Sequence, residues 1–252
     1  MFIHNINPIL LSIFGLEIRY YGLVYAIGFI FSLWYVLKLV EKKEINLTKD
    51  EVYDFMIWII IGLVIGGRLG IILFYNLGYY LANPFEIIAI WHGGMSFHGA
   101  IIGMILVGYY FHRKKKIDFY QMADAIVVPA ALMLMFGRVA NFINGELYGT
   151  ITNVSWGVKF PDVEGFRHPS QLYEAFKNLV IFSTLWFLKS KKHKKGFLFW
   201  CFVTMYGLLR TLISFYRVPT TMIFGVSVGQ LFSFGMFVVG AYVLFNHYKR
   251  KR

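Results

Sequence analysis

Residues Ala125–Gly149 read AIVVPAALMLMFGRVANFINGELYG, in which an uncharged apolar run ends abruptly at Arg138, Asn141, Asn144 and Glu146. A cation at membrane depth costs at least ~2.5–3.5 kcal/mol on insertion scales, so its presence calls for a functional reason. Arg138, Asn141 and Asn144 recur at i+3 spacing and share one broad helical face. Asp124 lies on a similar side of the same helix, but the helical rise puts it ~21 Å away along the axis. It cannot neutralise Arg138. Two partners stay open: an anionic ligand, or an ion pair with Glu146, Glu174 or an acid on another helix.

The apolar character extends along the whole chain. Its 252 residues are 58% hydrophobic and 19% aromatic, with a mean hydropathy of +0.60. A soluble domain has too little interior to bury that much apolar surface. Nearly uncharged runs of roughly 20 residues recur, each long enough to cross a bilayer. The alternating short segments of a transmembrane β-barrel are missing. The pattern predicts an all-α polytopic membrane protein.

Seven spans fit, at about Tyr20–Val40, Tyr53–Leu73, Ser96–Phe111, Met122–Ile143, Leu172–Leu188, Phe197–Phe215 and Val226–His247. The net charge of +12 is concentrated in Lys42, Lys43 and Lys49, in Arg113–Lys116, in Lys189–Lys195 and in Lys249–Arg252. These tracts follow spans one, three, five and seven, so they lie on one side, which the positive-inside rule makes cytoplasmic. That distribution argues for topology rather than a nucleic-acid surface. The N-terminus is then outside and the C-terminus cytoplasmic. Residues 1–252 read as a single integral membrane domain, with 145–170 as a small extracytoplasmic cap insertion. No internal repeat of the transporter type is visible. The N-terminus lacks a basic region followed by a small-residue cleavage site, so no removable signal peptide is expected. Cys201, the one cysteine, rules out an intrachain disulfide and reads as packing.

Further polar residues stand out. Arg210 and Arg217 are seven residues apart, on roughly one face, with no acid nearby in sequence. Arginine's planar fork suits phosphate oxygens, and snorkelling to the interface is the competing reading, stronger for Arg217. His98, bracketed by glycines in GGMSFHG, suits a proton acceptor, although a lone histidine is more often structural. It has no companions of metal-ligand spacing. Ser170 reads as a helix N-cap, with Glu174 one turn on. Tyr20 and Tyr21 read as an aromatic-belt element. Arg68, within GGRLG, is ambiguous.

YYGLVYAIGF, GGRLG, GGMSFHGAIIG, GRVANFINGELYG, RHPSQLYE and YGLLR…FYR together resemble the bacterial prolipoprotein diacylglyceryl transferases, in family order from Tyr20 to Arg217. The resemblance implies transfer of the diacylglyceryl group of phosphatidylglycerol to the lipobox cysteine thiol of a prolipoprotein. A thioether forms and glycerol 1-phosphate is released, the first step of bacterial lipoprotein maturation. It also implies that Arg138 binds the phosphatidylglycerol head group, with Asn141, Glu146 and Gly149 shaping the pocket. Arg210 would stabilise the phosphate, and Tyr21 and His98 would be important for activity. The implied setting is the cytoplasmic (inner) membrane, with the active site toward the outer leaflet. In one departure, Ser214 stands where the family commonly has glutamate, which puts an Arg210–glutamate pair in question.

This chemistry needs no metal or organic cofactor, because the substrate brings its own thiol nucleophile. His98 is the candidate base, the alternative being that the arginines lower the thiol's pKa unaided, and the arginines would stabilise the departing phosphate in a water-poor site. The competing function is a phospholipid transporter or flippase that binds the same head group without covalent chemistry. An intramembrane protease or CDP-alcohol phosphotransferase would need an HExxH motif or clustered aspartates, which the chain lacks.

Overall fold

A computed structural model describes residues 1–13, 16–74, 76–90, 93–219, 222–223 and 225–248, with the side chains of 13, 16, 97, 98, 223 and 248 outside that description. Seven long helices appear where the hydropathy places them: α1 (Tyr20–Glu41), α2 (Lys49–Phe74), α4 (Phe97–Lys115), α5 (Phe119–Ile143), α6 (Ser170–Leu188), α7 (Phe197–Ser214) and α8 (Val228–Tyr248). A short helix α3 (Leu77–Ala82) and a 3-10 turn (Pro84–Ile87) lie between α2 and α4. Among the described residues, five of the helices (α1, α2, α5, α7 and α8) are long and apolar enough to cross a membrane. Helix α6 buries Gln171, Glu174, Lys177 and Asn178 alongside the apolar Ala175, Ile181 and Leu185.

The fold is not purely helical. Strand β1 (Phe2–Ile3) pairs in parallel with β4 (Val158–Lys159), β2 (Ile9–Ile13) with β3 (Leu16–Arg19), and β5 (Met222–Ile223) with β6 (Val226–Ser227), the last two antiparallel. Strands this short carry too few side chains for a period-2 pattern to register.

The chain forms two compact units, Leu33–Met122 and the remainder, Met1–Ser32 with Ala123–Arg252. In the first, α2 and α4 meet along glycines. Gly62, Gly66 and Gly70 face Gly99 and Gly103, and a Cβ added at Gly70 would lie 2.8 Å from the Gly99 Cα. With the backbones this close, small residues replace apolar burial as the packing device, as membrane helices require. The same unit settles Arg68. Its guanidinium donates to the carbonyls of Ile87, Gly94 and Ala89 at 3.0–3.1 Å and to those of Glu86 and Gly93, beneath the ring of Tyr80. Arg68 therefore gathers the carbonyls at the end of the 3-10 turn and just beyond it with those of Gly93 and Gly94, supplying donors that the chain's own backbone does not.

In the second unit, α7 packs against α8 through Gly207, where an added Cβ would lie 2.6 Å from the Ser233 carbonyl oxygen. Asp124, which the sequence leaves without a role, caps α7 from α5. Its carboxylate accepts the N–H of Gly196 at 2.7 Å and of Phe199 at 2.8 Å, placing negative charge at the helix's positive end. Cys201 is buried in the core.

Candidate functional site

The polar centre of the larger unit is assembled from the end of α5, the first turns of α6 and the end of α7. Helix α5 stops after Ile143, and Gly145, with φ +70°, turns the chain back so that Glu146 lies beside the last helical turn. The Glu146 carboxylate accepts from Asn141 Nδ2 at 2.8 Å and Asn144 Nδ2 at 3.1 Å, and its main-chain carbonyl accepts from Gln171 Nε2 at 2.6 Å. Arg138 Nη1 donates to Asn141 Oδ1 at 3.4 Å, confirming the shared face. Among the described residues Arg138 has no ion pair. Glu146 is committed to two amides, so that proposed partner is not the one the arginine takes.

Helix α6 supplies what the sequence reading missed. Glu174 is 0% exposed and Lys177 3%, and they form an ion pair of 2.7 Å. Lys177 Nζ also lies 3.7 Å from the centroid of the Tyr206 ring. The i+3 spacing from Glu174, continuing from Gln171, was the available signal. Ser170 is not the N-cap that was expected. It is the first helical residue, after Pro169, and its hydroxyl donates to the Leu147 carbonyl at 3.0 Å. Glu174 does not cap either; its carboxylate faces the cations.

Those cations include both α7-side arginines. Arg210 Nε lies 3.0 Å from Glu174 Oε1 and Arg217 Nη1 3.6 Å from the same oxygen. Arg210 thus has an acid, 36 positions away in sequence but adjacent in space. Serine at 214 does not leave it loose: Arg210 Nη1 donates to Ser214 Oγ at 3.2 Å, and Glu174 provides the carboxylate. Burial and the neighbouring Arg210 charge pull the Arg217 guanidinium down to about 10, which keeps it protonated at neutral pH. The charge of Arg138 also reaches Glu174, Lys177 and Arg217. One buried carboxylate thus serves three cations, with a fourth in electrostatic range, an arrangement that favours an added anion.

Gly149 sits where backbones cross. Its N–H donates to the His168 carbonyl at 2.8 Å, and Thr150 N–H donates to the Tyr216 carbonyl at 3.0 Å. A Cβ at 149 would lie 2.8 Å from the His168 Cβ, so no other residue fits without displacing the neighbouring chain. His168 Nδ1 is 3.0 Å from the Tyr173 hydroxyl, and burial holds its imidazole below the ordinary histidine range. Tyr21, half-exposed, shares a 3.2 Å hydrogen bond with the Tyr25 hydroxyl and lies in electrostatic range of Glu146 and Arg138. The Tyr25 hydroxyl itself would lie 3.6 Å from a Cβ added at Gly137, next to Arg138. Thus Tyr21, Arg138, Asn141, Glu146 and Arg210 belong to one polar neighbourhood. The backbone of His98 lies in the first turn of α4, where Ser96 Oγ caps by accepting from Gly99 N–H at 3.2 Å; its side chain lies outside the described residues. The described residues contain no group of three or more potential metal ligands.

Apolar helices long enough to span a bilayer, joined to a buried centre in which cations outnumber carboxylates, define a multi-pass membrane protein. The family model described as "Prolipoprotein diacylglyceryl transferase" matches residues 8–246. The chain is 45% identical over 243 residues to a phosphatidylglycerol–prolipoprotein diacylglyceryl transferase of Geobacter sulfurreducens, covering 94% of this chain and 93% of that one. Proteins of the same description from Rickettsia bellii (42% identical, 95% of both chains) and Rickettsia conorii (45% identical, 95% of this chain and 96% of that one) are similarly close. The chain belongs to the prolipoprotein diacylglyceryl transferase family.

Proposed function

We propose that the chain transfers the diacylglyceryl group of phosphatidylglycerol to the lipobox cysteine of a prolipoprotein. The substrate thiol gives up its proton and attacks the carbon of the diacylglyceryl moiety that carries the phosphate ester. The sulfur–carbon bond forms as the carbon–oxygen bond breaks, and glycerol 1-phosphate leaves with the bonding electron pair. Arg138 holds the head group, Asn141 and Glu146 fix the Arg138 side of the pocket, and Gly149 keeps the adjoining backbones close. Arg210 stabilises the charge that develops on the leaving phosphate, where low dielectric gives such help most effect. Tyr21 lines the same neighbourhood, and His98 takes the thiol proton, a role suited to an imidazole near neutral pH.

The observation that carries this reading is the arginine excess: among the described residues Arg138 forms no ion pair, and Arg210 and Arg217 share Glu174 with Lys177. The seven long helices cross the bacterial inner membrane as a single integral domain, N-terminus outside and C-terminus cytoplasmic, with 145–170 as an extracytoplasmic cap. The basic tracts after alternate spans support that orientation, which directs the site toward the outer leaflet.

Incubation of the purified chain with phosphatidylglycerol and a lipobox peptide tests the reaction. The expected result is a peptide heavier by one diacylglyceryl unit on mass spectrometry, and Arg138→Ala abolishes the gain while remaining folded in detergent. An unmodified peptide with the wild-type chain, under conditions where the lipid binds, would instead favour a binding or transport protein. His98→Gln should flatten the rise of rate with pH; an unchanged profile removes His98 as the base.

A further inference from the structure

The two oxygens of Glu174 are used unequally. Oε2 is engaged by Lys177 Nζ at 2.7 Å, and the ammonium also lies over the Tyr206 ring. Oε1 faces Arg210 Nε at 3.0 Å and Arg217 Nη1 at 3.6 Å. Yet Glu174 Oε1 and Arg217 Nη1 are both buried without a well-directed hydrogen bond. One oxygen is fixed, and the other is shared loosely between two guanidiniums. A carboxylate free to engage either guanidinium in a bidentate pair would hold it tightly. This one is tied to a third cation on its own helix. Its hold on the arginines is correspondingly reduced, while its charge still offsets the repulsion between them.

We propose that Glu174 and Lys177 act as a positioning pair for an incoming phosphate. Glu174 is the resident counter-ion that keeps Arg210 and Arg217 side by side. Lys177 restrains Glu174 so that lipid phosphate can replace it at the guanidiniums. The proposal rests on the phosphatidylglycerol reading above. Lys177 touches the carboxylate and not the lipid, so its effect must run through Glu174.

The test measures two quantities on the full chain in detergent micelles: phosphatidylglycerol binding by native mass spectrometry, and transfer to a lipobox peptide. Lys177→Met should weaken lipid binding about tenfold, the scale of one charge-assisted contact, with kcat nearly unchanged. Glu174→Gln should not weaken binding but should lower kcat about tenfold or more, because Arg210 loses its orientation. Adding Lys177→Met to Glu174→Gln should then change nothing further. Ser214→Glu in the Glu174→Gln background should recover kcat, since the Ser214 hydroxyl already lies 3.2 Å from Arg210 Nη1.

Unchanged binding in Lys177→Met overturns the proposal, and so does a further loss of binding when that change is added to Glu174→Gln, which would place Lys177 on the phosphate itself. Failure of Ser214→Glu to restore kcat overturns the role given to Glu174. Should Glu174→Gln fail to fold, the Lys177→Met binding measurement still decides. A wild-type chain that binds the lipid but transfers nothing refutes the reaction, while the binding measurements judge the pair independently.

Discussion

Replacing Asp124 with alanine should destabilise the protein without disabling it. The carboxylate accepts two backbone N–H groups at the start of α7, at 2.7 and 2.8 Å, across a helix–helix contact within one unit. A hydrogen bond to an ionised acceptor is worth about 1.5–3 kcal/mol, and loss of a helix N-cap costs about 0.5–2 kcal/mol. These figures describe overlapping parts of the same loss, and about 2 kcal/mol is the working value. For a chain of this length that corresponds to a fall in melting temperature of roughly 4–8 °C. Asp124→Asn keeps one acceptor oxygen and should lose about half as much.

Arg210 lies about four turns into α7, ~21 Å along the axis from the capped end, so transfer measured well below the transition should be close to wild type. Thermal melting followed by size-exclusion chromatography in detergent gives the first quantity, and the peptide mass assay gives the second. An unchanged melting profile for Asp124→Ala would refute the cap. A loss of low-temperature activity as deep as that of Arg138→Ala would refute the separation of scaffold from site.

Gly103→Val should abolish folded yield, because a side chain at 103 meets the Gly62 backbone; Gly235→Ala, with open space around it, should express normally. Arg68→Met should leave the carbonyls of Glu86, Ile87, Ala89, Gly93 and Gly94 without their donor and raise limited proteolysis next to them, and Arg68→Lys, lacking the guanidinium fork, should not restore protection. His168 has its folded pKa below the unfolded value of 6.5, so the unfolded chain binds the proton first as pH falls. Its contribution to stability is therefore full above about pH 6.5 and declines as the pH drops toward the folded pKa. His168→Gln should flatten that slope in melting experiments across pH 5–8 (roughly the range histidine titrates).

The helices were legible because hydropathy acts over whole segments, and GRVANFINGELYG was legible because charge in such a segment is costly. The partners of that charge were not. Arg210 looked acid-free because Glu174 is remote in sequence, and only packing of α6 against α7 brings them together. Lys177 was overlooked although its spacing from Glu174 is that of a helical ion pair. Within an otherwise apolar span, the polar face formed with Gln171 and Asn178 marks a helix turned toward a polar interior. Arg68 was undecidable from side-chain pattern, since all its hydrogen-bond acceptors are main-chain carbonyls. Gly149, quoted as a pocket residue, gains a backbone reason that a single sequence does not disclose.

The crossing at Gly149 and Thr150 has a mechanical consequence. Gly149 bridges Arg217, and the neighbouring Thr150 amide is bonded to Tyr216. The chain leaving α5 is therefore latched to the chain leaving α7. A load applied to the segment after Gly149 passes through the Thr150–Tyr216 hydrogen bond to the residue next to Arg217. The Thr150 amide, bonded to the Tyr216 carbonyl, should resist exchange with solvent deuterium until that latch opens, whereas the Gly149 amide reports its own bond to the His168 carbonyl.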